Sequence, residues 1–392
     1  MTATVHRSRS TPVGPWRSAV EAALILSVGM GFGRFAFTAV FPYMVEDGVI
    51  SVQQGSWAAS MNYAGYLLGA LLAVRMRARY AYKLCLWSVL GTALCLAVLA
   101  LPVPVWGILL VRGVAGAVSA LGFVAASLWL FEQRGHFTGA PVLYAGVGVG
   151  IALSAELLVL GASLGLHSSG MWLLLGAVAA VMGLIAAPGL LMHYSEPSTE
   201  VSAAQAAIQP KLVAVLPMVI IYGLAGFGYI VTATYLPMLV HKALPDVHSA
   251  HVWAVFGLGA VPACFIWHRV HERLGTRGAL QWNLALQALG VALPVLVQSA
   301  SSYMLSALLV GGTFTGTVTI AMPAAQRLAR HTGKNVLAIM TLMYSVGQII
   351  GPMVAELLHT YSHSFSSALL AASLALVIAL ICSVKLYPPA TS

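Results

Sequence analysis

Charge is what this 392-residue sequence has least of: Asp, Glu, Lys and Arg make up 7% of it, and only ten residues are acidic. A water-soluble chain covers its surface with polar groups, and this one cannot. The shortage of acids also leaves no DxD, HExxH or GxSxG constellation, and no glycine-rich GKS or GKT phosphate loop occurs. Direct ATP use and common hydrolytic chemistry are therefore not expected. Cysteine is scarce as well. Cys85, Cys95, Cys264 and Cys382 form no CxxC pair, so neither a disulfide framework nor a metal or cofactor site is expected. His241, His248 and His251 fall in one loop; His248 and His251 have loose zinc spacing but no thiolate beside them, and solvated loop residues are the default reading for all three.

What is present is hydrophobic sequence, 60% of the chain, with a mean hydropathy of +0.90. It comes in long runs, each able to cross ~30 Å of hydrocarbon as a helix of ~20 residues. Helices are required because lipid offers no partner to free backbone groups. The runs are 18–44, 53–74, 84–101, 104–130, 137–162, 169–193, 212–240, 249–268, 278–298, 301–325, 335–360 and 364–387. The first, behind basic Arg7, Arg9 and Arg17, has no cleavage site after a short core and reads as an uncleaved span.

The net charge of +9 is distributed by side. Sixteen of the 19 basic residues fall in segments on the side of the N-terminus, and only Lys242 lies in an opposite loop. That bias predicts both termini in the cytoplasm, and it replaces a nucleic-acid reading of the charge.

The chain repeats itself. GFGRFAFTAVFPYMV (31–45) aligns with GFGYIVTATYLPMLV (226–240), LLVRG (109–113) with LLVGG (308–312), and YAGVGVGIALSAELL (144–158) with YSVGQIIGPMVAELL (344–358). Three ordered matches at nearly one offset predict two six-helix halves, 1–193 and 212–392, joined by a polar cytoplasmic linker at 194–211.

This organisation resembles the major facilitator superfamily: an all-α membrane protein of twelve transmembrane helices in two pseudo-symmetric six-helix bundles. The loop HERLGTR (271–277) resembles that superfamily's acidic–Arg–x–Gly–x–basic loop, with Glu272, Arg273, Gly275 and Arg277 in the matching places. The resemblance implies a gating role for them. The counterpart RMRARYAYK (75–83) lacks the acid and the glycine. Arg112 and Gly116 resemble the span-4 arginine motif, and Gly347, Gly351 and Pro352 a Gly-Pro motif. The opening GFGRFAFTAVFPYMVEDGVISVQQGSWAASMNYAGYLLGALLA (31–73) is similar to the YbfB/YjiJ-type subfamily of bacterial transporters.

Two arginines lie inside spans. Arg34 sits near the middle of the first, ~15 Å from its nearer end at ~1.5 Å per residue. An arginine at a helix centre costs about 2.5–3.5 kcal/mol even on translocon scales, so a carboxylate, a carbonyl cage or an anionic cargo must compensate it. Arg112 lies ~12 Å deep and Glu156 ~9 Å deep, which suggests an Arg112–Glu156 pair. The repeat puts Tyr229 opposite Arg34, Gly311 opposite Arg112 and Glu356 opposite Glu156. Burial disfavours the charged form of an unpaired carboxylate, so Glu156 and Glu356 are candidates to carry a proton. Asn62, Tyr63, Tyr66, Tyr229 and Gln348 are candidates to line a central cavity, against the alternative that such groups only bond neighbouring helices.

The expectation is a monomeric secondary transporter of the bacterial inner membrane, embedded in lipid, moving a small organic solute, with anions among the candidates, together with protons by alternating access. Arg34, Arg112, Asn62, Tyr66, Tyr229 and Gln348 are its expected binding residues. The alternatives are a polytopic enzyme acting on a lipid-linked substrate, and a channel or sensor.

Overall fold

The structure is a computed structural model that describes residues 15–192, 213–244, 248–332 and 336–387; the expected linker at 194–211 lies outside them. No strand occurs among the described residues. Spans 1 to 6 are Trp16–Glu46, Val52–Ala73, Ala81–Leu99, Val105–Gln133, Ala140–Ser163 and Ser168–Leu191. Span 7 is Val215–Ala243, and spans 10 to 12 are Ala300–Thr332, Val336–Ser362 and Ser366–Cys382.

Spans 8 and 9 share one helical run, Ser249–Leu296, of 48 residues. At ~1.5 Å per residue that is ~70 Å, more than twice the hydrocarbon thickness, so it has to turn back. It does so at Gly275, where φ is 68° and ψ is 178°. This left-handed backbone is open to glycine without steric cost. Gly275 is the glycine of the HERLGTR loop. Ten runs are long and apolar enough to cross a membrane by themselves. The twelve spans follow because 249–296 holds two of them and because span 2 is the most polar, with Gln53, Gln54, Ser56, Ser60 and Asn62 in its first half. Span 2 starts on a capping box, in which Ser51 Oγ accepts from the Gln54 amide at 3.2 Å and the Gln54 side chain accepts from the Ser51 amide at 2.9 Å.

An even number of spans returns the chain to the side on which it began. The Ala214 amide, before span 7, donates to the Leu386 carbonyl, after span 12, at 2.7 Å. We call this side the terminal end and the side of the 47–51 turn the far end.

Small residues set the packing. A Cβ at Gly31 of span 1 would sit 2.4 Å from the backbone of Gly150 in span 5, so the two helices meet backbone to backbone. Between the halves, span 5 packs on span 8 and span 2 on span 11. Under the sequence repeat span 2 corresponds to span 8 and span 5 to span 11, so these two contacts exchange under a twofold rotation. Large apolar side chains face outward, Leu184 at 72% and Trp87 at 67% exposure among them, as a lipid-facing surface requires.

Candidate functional site

Span 1 is not a uniform α-helix. Ser27–Phe35 is wound as a π-helix, and every one of its residues is buried. The wider i→i+5 wind disturbs the regular pairing of backbone carbonyls. Two of them, Gly33 O and Arg34 O, accept from the Arg112 guanidinium at 3.0 and 3.1 Å. Arg112 is 1% exposed, and its cationic carbon lies 4.4 Å from the Phe37 ring centre. Asn62 holds it in turn, its amide donating to the Arg112 carbonyl at 2.8 Å. Arg112 and Asn62 therefore form a scaffold between spans 1, 2 and 4.

The sequence-based Arg112–Glu156 pair is not formed. Glu156 is 49% exposed at its side chain and bonds His251 at 2.9 Å. Equal depth in the bilayer had suggested the pair, but depth says nothing about the direction each side chain takes around its helix. Glu356 accepts from Thr360 at 3.0 Å and is likewise not buried.

Arg34 is different. It is 3% exposed, yet among the described residues no carboxylate pairs with it. Its guanidinium lies 4.0 Å from the Tyr66 ring centre and 5.2 Å from those of Tyr63 and Phe35. The Arg34 Nε has no partner. A buried cation resting on aromatic faces is partly compensated by cation–π attraction, but its in-plane donors remain to be filled.

The second half completes the surroundings. The Tyr63 hydroxyl meets Thr234 Oγ1 of span 7 at 3.3 Å, and Trp253 of span 8 donates to the Phe35 carbonyl at 3.1 Å. Phe35 packs edge-on against Phe314 of span 10, ring centres 5.9 Å apart. Tyr229 stacks on Phe314 at 5.2 Å and on Tyr344 at 5.8 Å. Gln348 donates to the Tyr229 hydroxyl, while the Gln348 Oε1 has no partner. Arg34, Tyr66, Tyr229 and Gln348 thus share one neighbourhood between the halves. Arg112 and Asn62 stand behind it, and Glu156 and Glu356 lie apart from it. Phe35, Phe314 and Tyr344 were not expected there. Tyr344 carried a usable signal as the repeat partner of Tyr144.

Hydrogen bonds between the halves cluster towards the far end. Thr38 donates to the Ala233 carbonyl at 2.7 Å, Ser60 to the Ile349 carbonyl at 2.9 Å, and Ser56 shares a 2.6 Å bond with the Tyr235 hydroxyl. Tyr235 donates onward to the Pro352 carbonyl at 2.9 Å. At the rim, Glu46 bonds His241 at 2.6 Å and Tyr43 meets His248 at 3.3 Å. Burial, with His251 beside it, pushes the His248 imidazole below its ordinary range. These histidines read as solvated loop residues in the sequence, and the structure makes them contacts across the seam.

At the terminal end, Glu272 pairs with His268 at 3.4 Å, both side chains being about two-thirds exposed (64% and 66%). Arg273 is exposed and Arg277 half-buried, on either side of the Gly275 turn.

Residues 26–384 match the family described as "Uncharacterised MFS-type transporter YbfB". No curated protein matches the chain. Among solved structures, that of a nucleoside transporter, NupG, determined as a point mutant, superposes with a TM-score of 0.70. It is 14% identical, with 94% of this chain and 99% of that one covered, and at this identity the likeness speaks for the fold. The similarity read from residues 31–73 extends through both halves, and the chain belongs to the YbfB-type family of major facilitator transporters.

Proposed function

We propose that this family member works as a monomeric, proton-coupled secondary transporter of the bacterial inner membrane. It moves a small organic solute by alternating access, with both termini cytoplasmic. In this reading the two halves rock about the neighbourhood of Arg34, and the far-end contacts are the closed outer gate. The exposed loop of Glu272, Arg273, Gly275 and Arg277 serves the inner gate.

The observation that carries the reading is the position of Arg34. A buried cation without an acid partner stands where the halves meet, just inside a seam held by cross-half hydrogen bonds. An enzyme acting on a lipid-linked substrate would need clustered acids or histidines at a membrane face. Proton coupling is assigned to Glu156 and Glu356. The support is that Glu156 bonds His251 across spans 5 and 8, a contact that opening of the outer gate would break.

Orientation is tested with single cysteines at Ser198 and Pro245, in a background lacking the four native thiols. An impermeant thiol reagent should label the second and spare the first in intact cells. Labelling at Ser198 would reverse the topology. Transport is tested by solute-library counterflow in proteoliposomes with an internal pH dye. A protein that moves no solute in either direction would overturn the proposed function.

A further inference from the structure

Resting on the proposed function, we infer that the cargo is a flat aromatic monocarboxylate, held by Arg34 at its carboxylate and by the Tyr229–Phe314–Tyr344 wall at its ring. Three observations lead there.

The first is charge. The two arginines within the spans of the first half, Arg34 and Arg112, are at least 97% buried, and the Nε of each lacks a partner, but only Arg112 has its two terminal nitrogens bonded to carbonyls. The Arg112 fork is filled by two carbonyls. Arg34 has aromatic faces beside it, and among the described residues no carboxylate pairs with it. The described carboxylates lie elsewhere: Glu21 bonds Arg17, Glu46 His241, Asp47 the Ser168 amide, Glu156 His251, Glu272 His268 and Glu356 Thr360, and Glu132 is exposed. One unmatched positive charge in a dry site selects one negative charge on the ligand. A cationic cargo is excluded by the same argument.

The second is shape. Rings flank the guanidinium, so a ligand reaches its hydrogen-bond donors in the plane of the fork. A planar carboxylate can take two parallel bonds there.

The third is the wall. Tyr229 lies 16° from parallel with Phe314 and 21° from parallel with Tyr344, and Phe256 continues the row 5.4 Å from Phe314. Trp253 stacks on Phe256 at 4.3 Å. Phe35, 5.2 Å from the Arg34 guanidinium, joins the cation to this row through its edge-on contact with Phe314. A run of aromatic faces this close to a cation fits an apolar ring carrying an anionic edge. An alkyl chain would gain burial there but no ring–ring contact.

The experiment is calorimetric binding to the purified full-length protein in detergent, with benzoate, hexanoate and benzylamine as probes of matched size and uridine as a larger, uncharged one. Benzoate should bind saturably and at least tenfold tighter than the other three. Arg34→Gln should weaken benzoate at least tenfold, and Arg34→Lys should recover part of the loss. Tyr229→Leu should weaken benzoate severalfold and leave hexanoate unchanged, which separates the wall from the charge. Size-exclusion profiles and melting curves check that each variant is folded.

Equal binding of hexanoate would overturn the aromatic half of the inference. Preference for benzylamine or uridine, or full benzoate affinity in Arg34→Gln, would overturn the anionic half. Absence of benzoate binding would overturn both. Counterflow keeps this failure apart from failure of the proposed function. Flux of another solute without benzoate binding leaves the transporter standing and removes the cargo class. Benzoate binding with no flux of any solute does the reverse.

Discussion

The two halves of this protein share a repeat, yet their polar interiors are built differently. Gly31-Phe32-Gly33 and Gly226-Phe227-Gly228 are the same tripeptide at the same place in spans 1 and 7. The first lies in a π-wind and the second in an unbroken α-helix, Val215–Ala243. The tripeptide therefore does not encode the wind. The difference lies in the partner: Arg112 supplies two donors to the carbonyls of span 1, and Gly311 at its repeat position supplies none. A side chain has no room at 311, because a Cβ there would meet the Phe256 carbonyl at 2.0 Å. The first half has taken on a charged scaffold and a free cation, and the second has kept close helix packing and aromatic faces. The fold tolerates either solution, so the repeat by itself does not call for the arginines.

The largest expected effect comes from removing that asymmetry at its functional end. Arg34→Gln should lower counterflow by at least about 100-fold, equivalent to about 2.7 kcal/mol, while the protein remains folded in the membrane. Arg34→Lys should restore only part, since an ammonium lacks the planar fork. Wild-type flux in Arg34→Gln would mean that the half-to-half difference at this site is incidental.

Arg112→Leu should act on stability more than on binding. It strips donors from two buried carbonyls, each costing about 1–3 kcal/mol if left unpaired. A lowered melting temperature, with residual benzoate binding at saturating probe, is the expected pattern. An unchanged melting temperature would show that the wind holds without its arginine.

Next in size is Tyr235→Phe. It deletes a hydroxyl that joins Ser56 to the Pro352 carbonyl across the seam, worth about 1 kcal/mol. Under the proposed orientation, a cysteine at Ser60 should then react faster with an outside reagent. Slower labelling would put the closed gate on the other face.

The smallest effect on stability belongs to Glu156→Gln. A half-exposed pair of this kind contributes about 0–1 kcal/mol. Proton-driven uptake should nevertheless fall while exchange persists. Uptake that still follows the pH gradient would return Glu156 to architecture and move the coupling group elsewhere.

The fold was legible in the sequence because its main signals are one-dimensional. Apolar runs mark spans, basic residues mark one side, and the duplication appears as aligned strings. Even Gly275 was marked, by HERLGTR. The buried arginines were legible for the same reason, since a charge within an apolar run must be compensated. What that compensation is was not legible. Arg34 and Arg112 look alike as sequence, and only the wind of span 1 turns two of its carbonyls towards Arg112. The Arg112–Glu156 pairing failed because rise per residue gives depth and not azimuth. His241 and His251 were read as loop residues because their carboxylate partners, Glu46 and Glu156, lie far away in the chain, in the other half.

The wound segment also fixes which way the rest of span 1 looks. Eleven residues at ~100° each would bring Thr38 back within about 20° of Ser27 on an ideal α-helix. Both would then address one neighbour. Instead Ser27 bonds the Gly146 carbonyl in its own half, and Thr38 bonds the Ala233 carbonyl in the other. The π-wind is thus a phase shifter: it lets a single rod be riveted to one half by its first turns and to the opposite half by its last, with Arg34 at the changeover.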